Sequence, residues 1–334
     1  TMSIAALLLS LATTAAAAAA HGPFTPDFVG FMERNSEYNE YALSSFKSNG
    51  PSGTFGGRST VNEKISHDPV LFIHGSGDSA LNYSKLATGW TRSLDHFRDA
   101  GYKSGELYGL TYGQRDINYA LNSKINCSDL LGLRHFIETI LEYTEAEKID
   151  IVAHGEMGVT LARMVAKGGP VHLSHESCDL GKPLTEKIDA LVAISGANYG
   201  LCMCLMAGIT HFPSCGQEGF APGHCGQQDA SYGACMDDMT DQCDTDDYAC
   251  VLQRVNAQDV KEAGFVASLW SNADEVLGRN NMVWGRRTSL VPGSDFTHAY
   301  EGYRHAETKD ETVAAQLSLV TDHTLNGGRA SRHQ

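Results

Sequence analysis

An α/β architecture, a mostly parallel sheet with helices on both faces, follows from three features of the 334-residue chain. Short, wholly apolar runs such as Val70-Leu71-Phe72-Ile73 and Ala190-Leu191-Val192-Ala193-Ile194 have the composition of strands buried on both faces. Segments of helical period lie between such runs, and alternating strands and helices build parallel sheets. Small, polar loops such as His74-Gly75-Ser76-Gly77 follow the strands at their carboxyl ends, where such sheets hold ligands.

The elements run as follows. From Met2 a short apolar core enters an alanine run ending at Ala20, the pattern of an export signal over residues 1–20. This predicts a secreted, extracellular protein whose mature chain starts near His21. Residues 21–65 are polar, Gly/Ser-rich and weakly periodic, an extension laid over a domain at 66–334. A strand at Val70 opens that domain. Helical pattern spans Lys85 to Ala100 and stops at Gly101, followed by a strand at Leu107–Tyr112. A helix over Asp129–Tyr143 carries Leu130, Leu133, Phe136, Ile137, Ile140 and Leu141 on one face. The strand Ile149–Ala153 leads into a sharp turn, and helix resumes over Gly158–Ala166. Further strands are expected at Ala190–Ile194 and Phe265–Ser271, and a last helix at Thr308–Leu319, started by a capping box at Thr308.

Forty acidic against 25 basic residues give a net charge of -15, which disfavours nucleic acid and anionic membrane surfaces and suits a neutral substrate. No segment after the signal has the length and apolarity of a transmembrane span. No cofactor is expected, because the glycine-rich stretches lack both the strand-GxGxxG-helix setting and a GK[ST] ending. Nine cysteines fit an oxidising compartment, and their odd number leaves one unpaired or shared between chains. Seven lie between Cys202 and Cys250, in a stretch with little apolar pattern. We read residues 199–262 as a cap insertion held by disulfides. Cys202-x-Cys204 lacks the second pair that a zinc site needs, so no metal is expected.

Acyl-transfer chemistry on such a sheet needs a nucleophile on a strand-to-helix elbow, then an acid and a histidine in chain order, and an oxyanion hole from an early loop. Ser76 and Gly77, after the first strong strand, supply backbone N–H groups for a developing oxyanion. Asp274, just past the strand Phe265–Ser271, is the orienting acid, with Asp295 in reserve. His305, in the loop before the last helix, is the general base. At the elbow, Ala153-His154-Gly155-Glu156-Met157-Gly158 carries Gly155-Glu156 where one serine belongs. With the seat at 155, Met157 falls where a small residue is needed; with the seat at 156, Gly158 fits but His154 crowds the other side. Glu156 as an attacking carboxylate and Ser195 as a displaced nucleophile are the weaker substitutes.

With those residues in place the chain resembles the secreted class 2 lipase family, of the EstA/EstB type, within the α/β-hydrolase fold. More distantly it resembles extracellular polyhydroxyalkanoate depolymerases. The likeness covers residues 54–323, through Thr54-Phe55-Gly56-Gly57, Asp68 to Gly77, Glu106 to Gly113, Asp150 to Arg163, Ile194 to Leu201, Asn272-Ala273-Asp274-Glu275 and Gly302-Tyr303-Arg304-His305. It implies a serine hydrolase acting on acylglycerols or related esters, with Asp274 and His305 completing the triad and Ser76 giving an oxyanion N–H. Gly155-Glu156 departs from the family at the nucleophile. Three functions therefore compete: a lipase or esterase, an inactive homologue that binds lipid or a protein partner, and a polyester depolymerase.

Overall fold

In the computed structural model, residues 21–237 and 243–325 are described. The expected signal at 1–20 lies outside them. A seven-stranded sheet organises the chain, built from β1 (Thr54–Phe55), β2 (Val70–Ile73), β3 (Leu107–Leu110), β4 (Ile149–His154), β7 (Ile188–Ile194), β8 (Phe265–Ser271) and β11 (Phe296–Tyr300). Their order is β1-β3-β2-β4-β7-β8-β11, parallel throughout except for β1. Short antiparallel pairs, β5 (Pro170–His172) with β6 (Ser177–Asp179) and β9 (Met282–Val283) with β10 (Arg286–Arg287), lie apart from it.

Alternation along each strand sends side chains to two cores. Leu71, Ile73, Ile151, Ala153, Leu191 and Ala193 meet α1 (Pro26–Glu33), α2 (Glu40–Asn49), α4 (Cys127–Thr144) and α5 (Gly155–Lys167) on one face. Val70, Phe72, Val152, Val192 and Ile194 meet α3 (Thr91–Asp99) and α9 (Val313–Asp322) on the other. Helices on both faces explain why these strands read as continuous apolar runs. Because six strands are parallel, the loops after β2, β4, β7 and β8 gather at one edge, which is the α/β-hydrolase arrangement.

Several elements differ from the sequence reading. Residues 21–65 form α1, α2 and β1, with Phe24, Phe28, Met32 and Leu43 buried in the main core. Thr25 caps α1 by accepting from the Phe28 N–H, and Pro26 takes the first helical position, where its missing donor costs nothing. The helix expected from Lys85 begins only at Thr91, since Gly89 at φ +59 is pressed against the Leu81 backbone. The strand at Leu107 ends at Leu110, and β11 was not foreseen. The last helix is split into α8 (His305–Asp310) and α9. Its capping glutamate is Glu307, whose Oε2 accepts from the Arg304 N–H at 2.9 Å.

The insertion between β7 and β8 holds α6 (Tyr232–Met236), α7 (Cys250–Ala257) and three disulfides, Cys202–Cys235, Cys204–Cys215 and Cys225–Cys243. Cys127–Cys178 ties α4 to β6. Cys202 and Cys204 thus belong to different disulfides, and Cys250 is the unpaired thiol. Among the described residues no helix is long and apolar enough to cross a membrane.

Candidate active site

Extended backbone continues along β4 to His154, and α5 starts at the very next residue. A strand can turn into a helix that abruptly only through the left-handed region, and Gly155 stands there at φ +75, where glycine has no Cβ penalty. A β-carbon at 155 would lie 3.2 Å from Gly75 Cα and 3.4 Å from His305 Nε2. Position 155 therefore faces the imidazole. The close approach of helix and strand falls elsewhere, at Gly158, where a β-carbon would stand 2.5 Å from the His74 carbonyl oxygen. The two halves of the elbow pattern are satisfied in different registers, with one surplus residue in the first helical turn.

Asp274 and His305 meet. The Nδ1 of His305 lies 2.8 Å from Asp274 Oδ2 and 3.1 Å from Oδ1. Asp274 Oδ1 also accepts the backbone N–H groups of Val276 and Leu277 at 2.9 and 3.0 Å. Burial disfavours the Asp274 carboxylate, but these contacts outweigh it and hold its pKa below the ordinary 3.8. On His305, burial opposes the cation, while Asp274 above all, with Glu156 and Glu275, favours it and lifts the pKa to about 9. The His305 side chain remains 15% exposed, enough for Nε2 to reach a ligand, whereas Asp274 is fully enclosed.

The loop after β2 lies opposite. Gly75 sits against the seat, its N 4.0 Å from the β-carbon position of residue 155. Gly77, at φ +74, packs on the backbone of Ile117, where a β-carbon would come within 2.8 Å. Among the described residues no acceptor meets the backbone N–H of Ser76 or Gly77, and the Ser76 hydroxyl is likewise buried without a partner. The first N–H groups of α5 are also free by helix geometry.

Three buried side chains fix the frame, and the sequence reading gave none of them this role. His74 Nε2 accepts the Tyr112 N–H at 3.2 Å, which leaves its Nδ1–H to donate to the Gly75 carbonyl at 2.7 Å and pin the loop. Burial lowers the pKa of His74 to about 4, so the ring stays neutral in this role. His154, also kept neutral by burial, places Nε2 3.1 Å from the His305 carbonyl oxygen, its ring 4.6 Å from the His305 ring. Lys309, one turn past His305, bonds Asp78 Oδ2 at 2.6 Å, Gly89 O at 2.7 Å and Thr88 Oγ1 at 3.0 Å. The helix bearing His305 is thereby locked to the loop after β2. A histidine at the end of an apolar strand and a lysine inside a helix look unremarkable in sequence, so only the fold marks them.

Asp295, the reserve acid, is not in the site. It stands at the amino end of β8, accepting the Val266 N–H and pairing with Lys261 at 2.6 Å. Ser195 follows β7 at φ +52, fully buried, and among the described residues its hydroxyl has no partner, so it does not engage His305. Glu156 is half-buried beside the imidazole. A cavity of about 250 Å³ opens beside the loop after β2, with Ser76, Gly77, Tyr112, Tyr119, Asn122 and Met157 in its wall; neither Gly155 nor His305 lines it. A larger one of about 670 Å³, between α3, α9 and β11, includes neither His305 nor the loop.

The chain matches the sequence profile of the family Lipase (class 2) over residues 67–318. Among solved structures it is similar to lipase B of Aspergillus fumigatus, at 12% identity and a TM-score of 0.48, over 84% of this chain and 58% of that one. It is also similar to a truncated carbohydrate esterase from gut microbiota, at 12% identity and a TM-score of 0.43, over 78% and 87% of the two chains. A thermophilic esterase, Est2, of Thermogutta terrifontis is similar at 9% identity and a TM-score of 0.41, over 83% and 90%. The chain spans little more than half the length of the fungal lipase.

Proposed function

Because this chain belongs to the class 2 lipase family, we propose that it recognises carboxylic esters at a lipase- or esterase-type site that has lost its covalent nucleophile. The carbonyl oxygen of the ester would sit among the free N–H groups of Ser76 and Gly77, with His305, oriented by Asp274, as the base. The reading rests chiefly on one observation: the residue whose side chain would begin 3.4 Å from His305 Nε2 is Gly155. Glycine has no group to attack with, so an acyl-enzyme cannot form there. Glu156 contributes charge beside the imidazole rather than a hydroxyl. The four disulfides fit an oxidising compartment, and with residues 1–20 as an export signal we read the protein as secreted.

Intact-mass spectrometry after exposure to a fluorophosphonate tests this reading. The natural chain is expected to stay unmodified, and Gly155→Ser to gain one adduct together with p-nitrophenyl butyrate hydrolysis, both lost on adding His305→Ala. An adduct on the natural chain, or a folded Gly155→Ser that refuses the probe, would refute it.

A further inference from the structure

The cavity of about 250 Å³ beside the loop after β2 has a wall of its own chemistry. One side of it is a short 3-10 turn, Ile117–Asn122, started by Asp116, whose Oδ1 accepts the Asn118 N–H at 2.9 Å. Three residues make one turn of such a helix, so Tyr119 and Asn122 stand on the same side, and both line the cavity. The chain then passes through Ser123 and Lys124 to the start of α4, where Asn126 caps the helix by accepting the Asp129 N–H at 2.8 Å.

The charged groups in this wall already have partners. Asp129 accepts the Tyr41 hydroxyl at 2.6 Å on one oxygen and the Asn126 amide at 2.7 Å on the other, and Lys124 pairs with Glu218 at 3.4 Å. The neutral groups do not. Among the described residues the side chains of Gln114, Tyr119, Asn122 and Ser123, all in the wall, make no hydrogen bond. Each carboxamide donates and accepts through adjacent atoms, which is the pattern that two neighbouring hydroxyls complement. Met157 is the one aliphatic side chain lining the space, so an alkyl chain placed there would strip water from polar groups and return no bond. The Tyr119 ring, half exposed, supplies an apolar face next to those amides.

We propose that this cavity is a binding site for one neutral sugar ring. Its hydroxyls pair with the amides of Gln114 and Asn122 and with the Ser123 hydroxyl, while its C–H face lies on Tyr119. The volume is below that of cavities that take drug-sized ligands, which suits a single ring rather than a chain of them. The paired state of Asp129 and Lys124 leaves no charge free to prefer an anion or a cation. Binding here calls on neither His305 nor a nucleophile, so it stands apart from the reading of the neighbouring site as an ester site.

Saturation-transfer NMR on the natural chain tests this, with methyl β-D-glucopyranoside, methyl β-D-galactopyranoside and N-acetyl-D-glucosamine as probes and butanol and butyrate as the alkyl and anionic alternatives. We expect saturable transfer to at least one sugar at millimolar concentration, undisturbed by butanol or butyrate. Asn122→Ala should weaken that binding about fivefold, the loss of one hydrogen bond, and Tyr119→Ala should weaken it as well. Both residues are exposed, so the variants should keep the fold, with circular dichroism as the check. Thr321→Ala, in the larger cavity between α3, α9 and β11, should leave it unchanged. No transfer to any of the three sugars, equal affinity in Asn122→Ala and the natural chain, or displacement by butanol or butyrate would overturn the inference. A chain that binds the sugar while its Gly155→Ser variant refuses the fluorophosphonate keeps this site and loses only the ester reading.

Discussion

Glu156 occupies the position next to the seat, and its charge acts on His305 rather than on a substrate. It helps hold the proton on the imidazole, so Glu156→Gln should lower the His305 titration midpoint. An NMR titration of the His305 ring checks this, and an unchanged or raised midpoint would exclude the contact. His305 and Asp274 were legible because chain order and loop position restrict the choice to a few residues, and the 2.8 Å contact joins the two that were named. The seat was not legible. Gly155 and Gly158 each satisfy half of the elbow pattern, and only the backbone angle, φ +75 at 155, distinguishes the residue that faces the histidine. Gly75 was passed over for Ser76 and Gly77 because nothing in a run of small residues says which one touches the neighbouring turn.

At the scale of elements, α8 and the loop after β2 depend on each other through Lys309 and Asp78, both deeply buried, with side-chain exposures of 1% and 11%. Removing one partner leaves the other charge stranded, which typically costs about 3–5 kcal/mol. Lys309→Met should accordingly lower unfolding free energy in urea by roughly 3 kcal/mol and loosen the oxyanion loop as well. Arg92→Ala, which breaks the exposed Arg92–Glu311 pair between α3 and the residue after α8, should cost less than about 1 kcal/mol. Comparable losses in the two variants would contradict the assignment. The strands of the inner sheet were legible because both of their faces are buried. β11 was missed because every residue in it is only half-buried, as suits an edge, and no apolar run announces it. α1 and α2 were missed for want of periodicity, although Thr25-Pro26 did mark a helix start.

For the molecule as a whole, two histidines with opposite shifts shape stability against pH. His305 has a higher pKa folded than unfolded, so its contribution is complete below 6.5 and is lost as pH rises through about 9. His74 is held neutral, so its contribution is complete above 6.5 and fades as pH falls through about 4. The melting temperature should peak near neutrality and fall on both sides, and a melting temperature still rising at pH 9.5 would contradict the His305 environment. The architecture was readable because alternation of buried strands and helices is a property of the entire chain. Disulfide pairing was not, since spacing alone cannot say which of seven clustered cysteines meet in space. Residue 155, and not 156, is where a nucleophile would stand, since position 155 faces the His305 imidazole. Peptide mapping of Gly155→Ser and Glu156→Ser after treatment with a fluorophosphonate tests this most directly. We predict an adduct on residue 155 in the first variant and none in the second; an adduct on residue 156, with residue 155 unmodified, would contradict it.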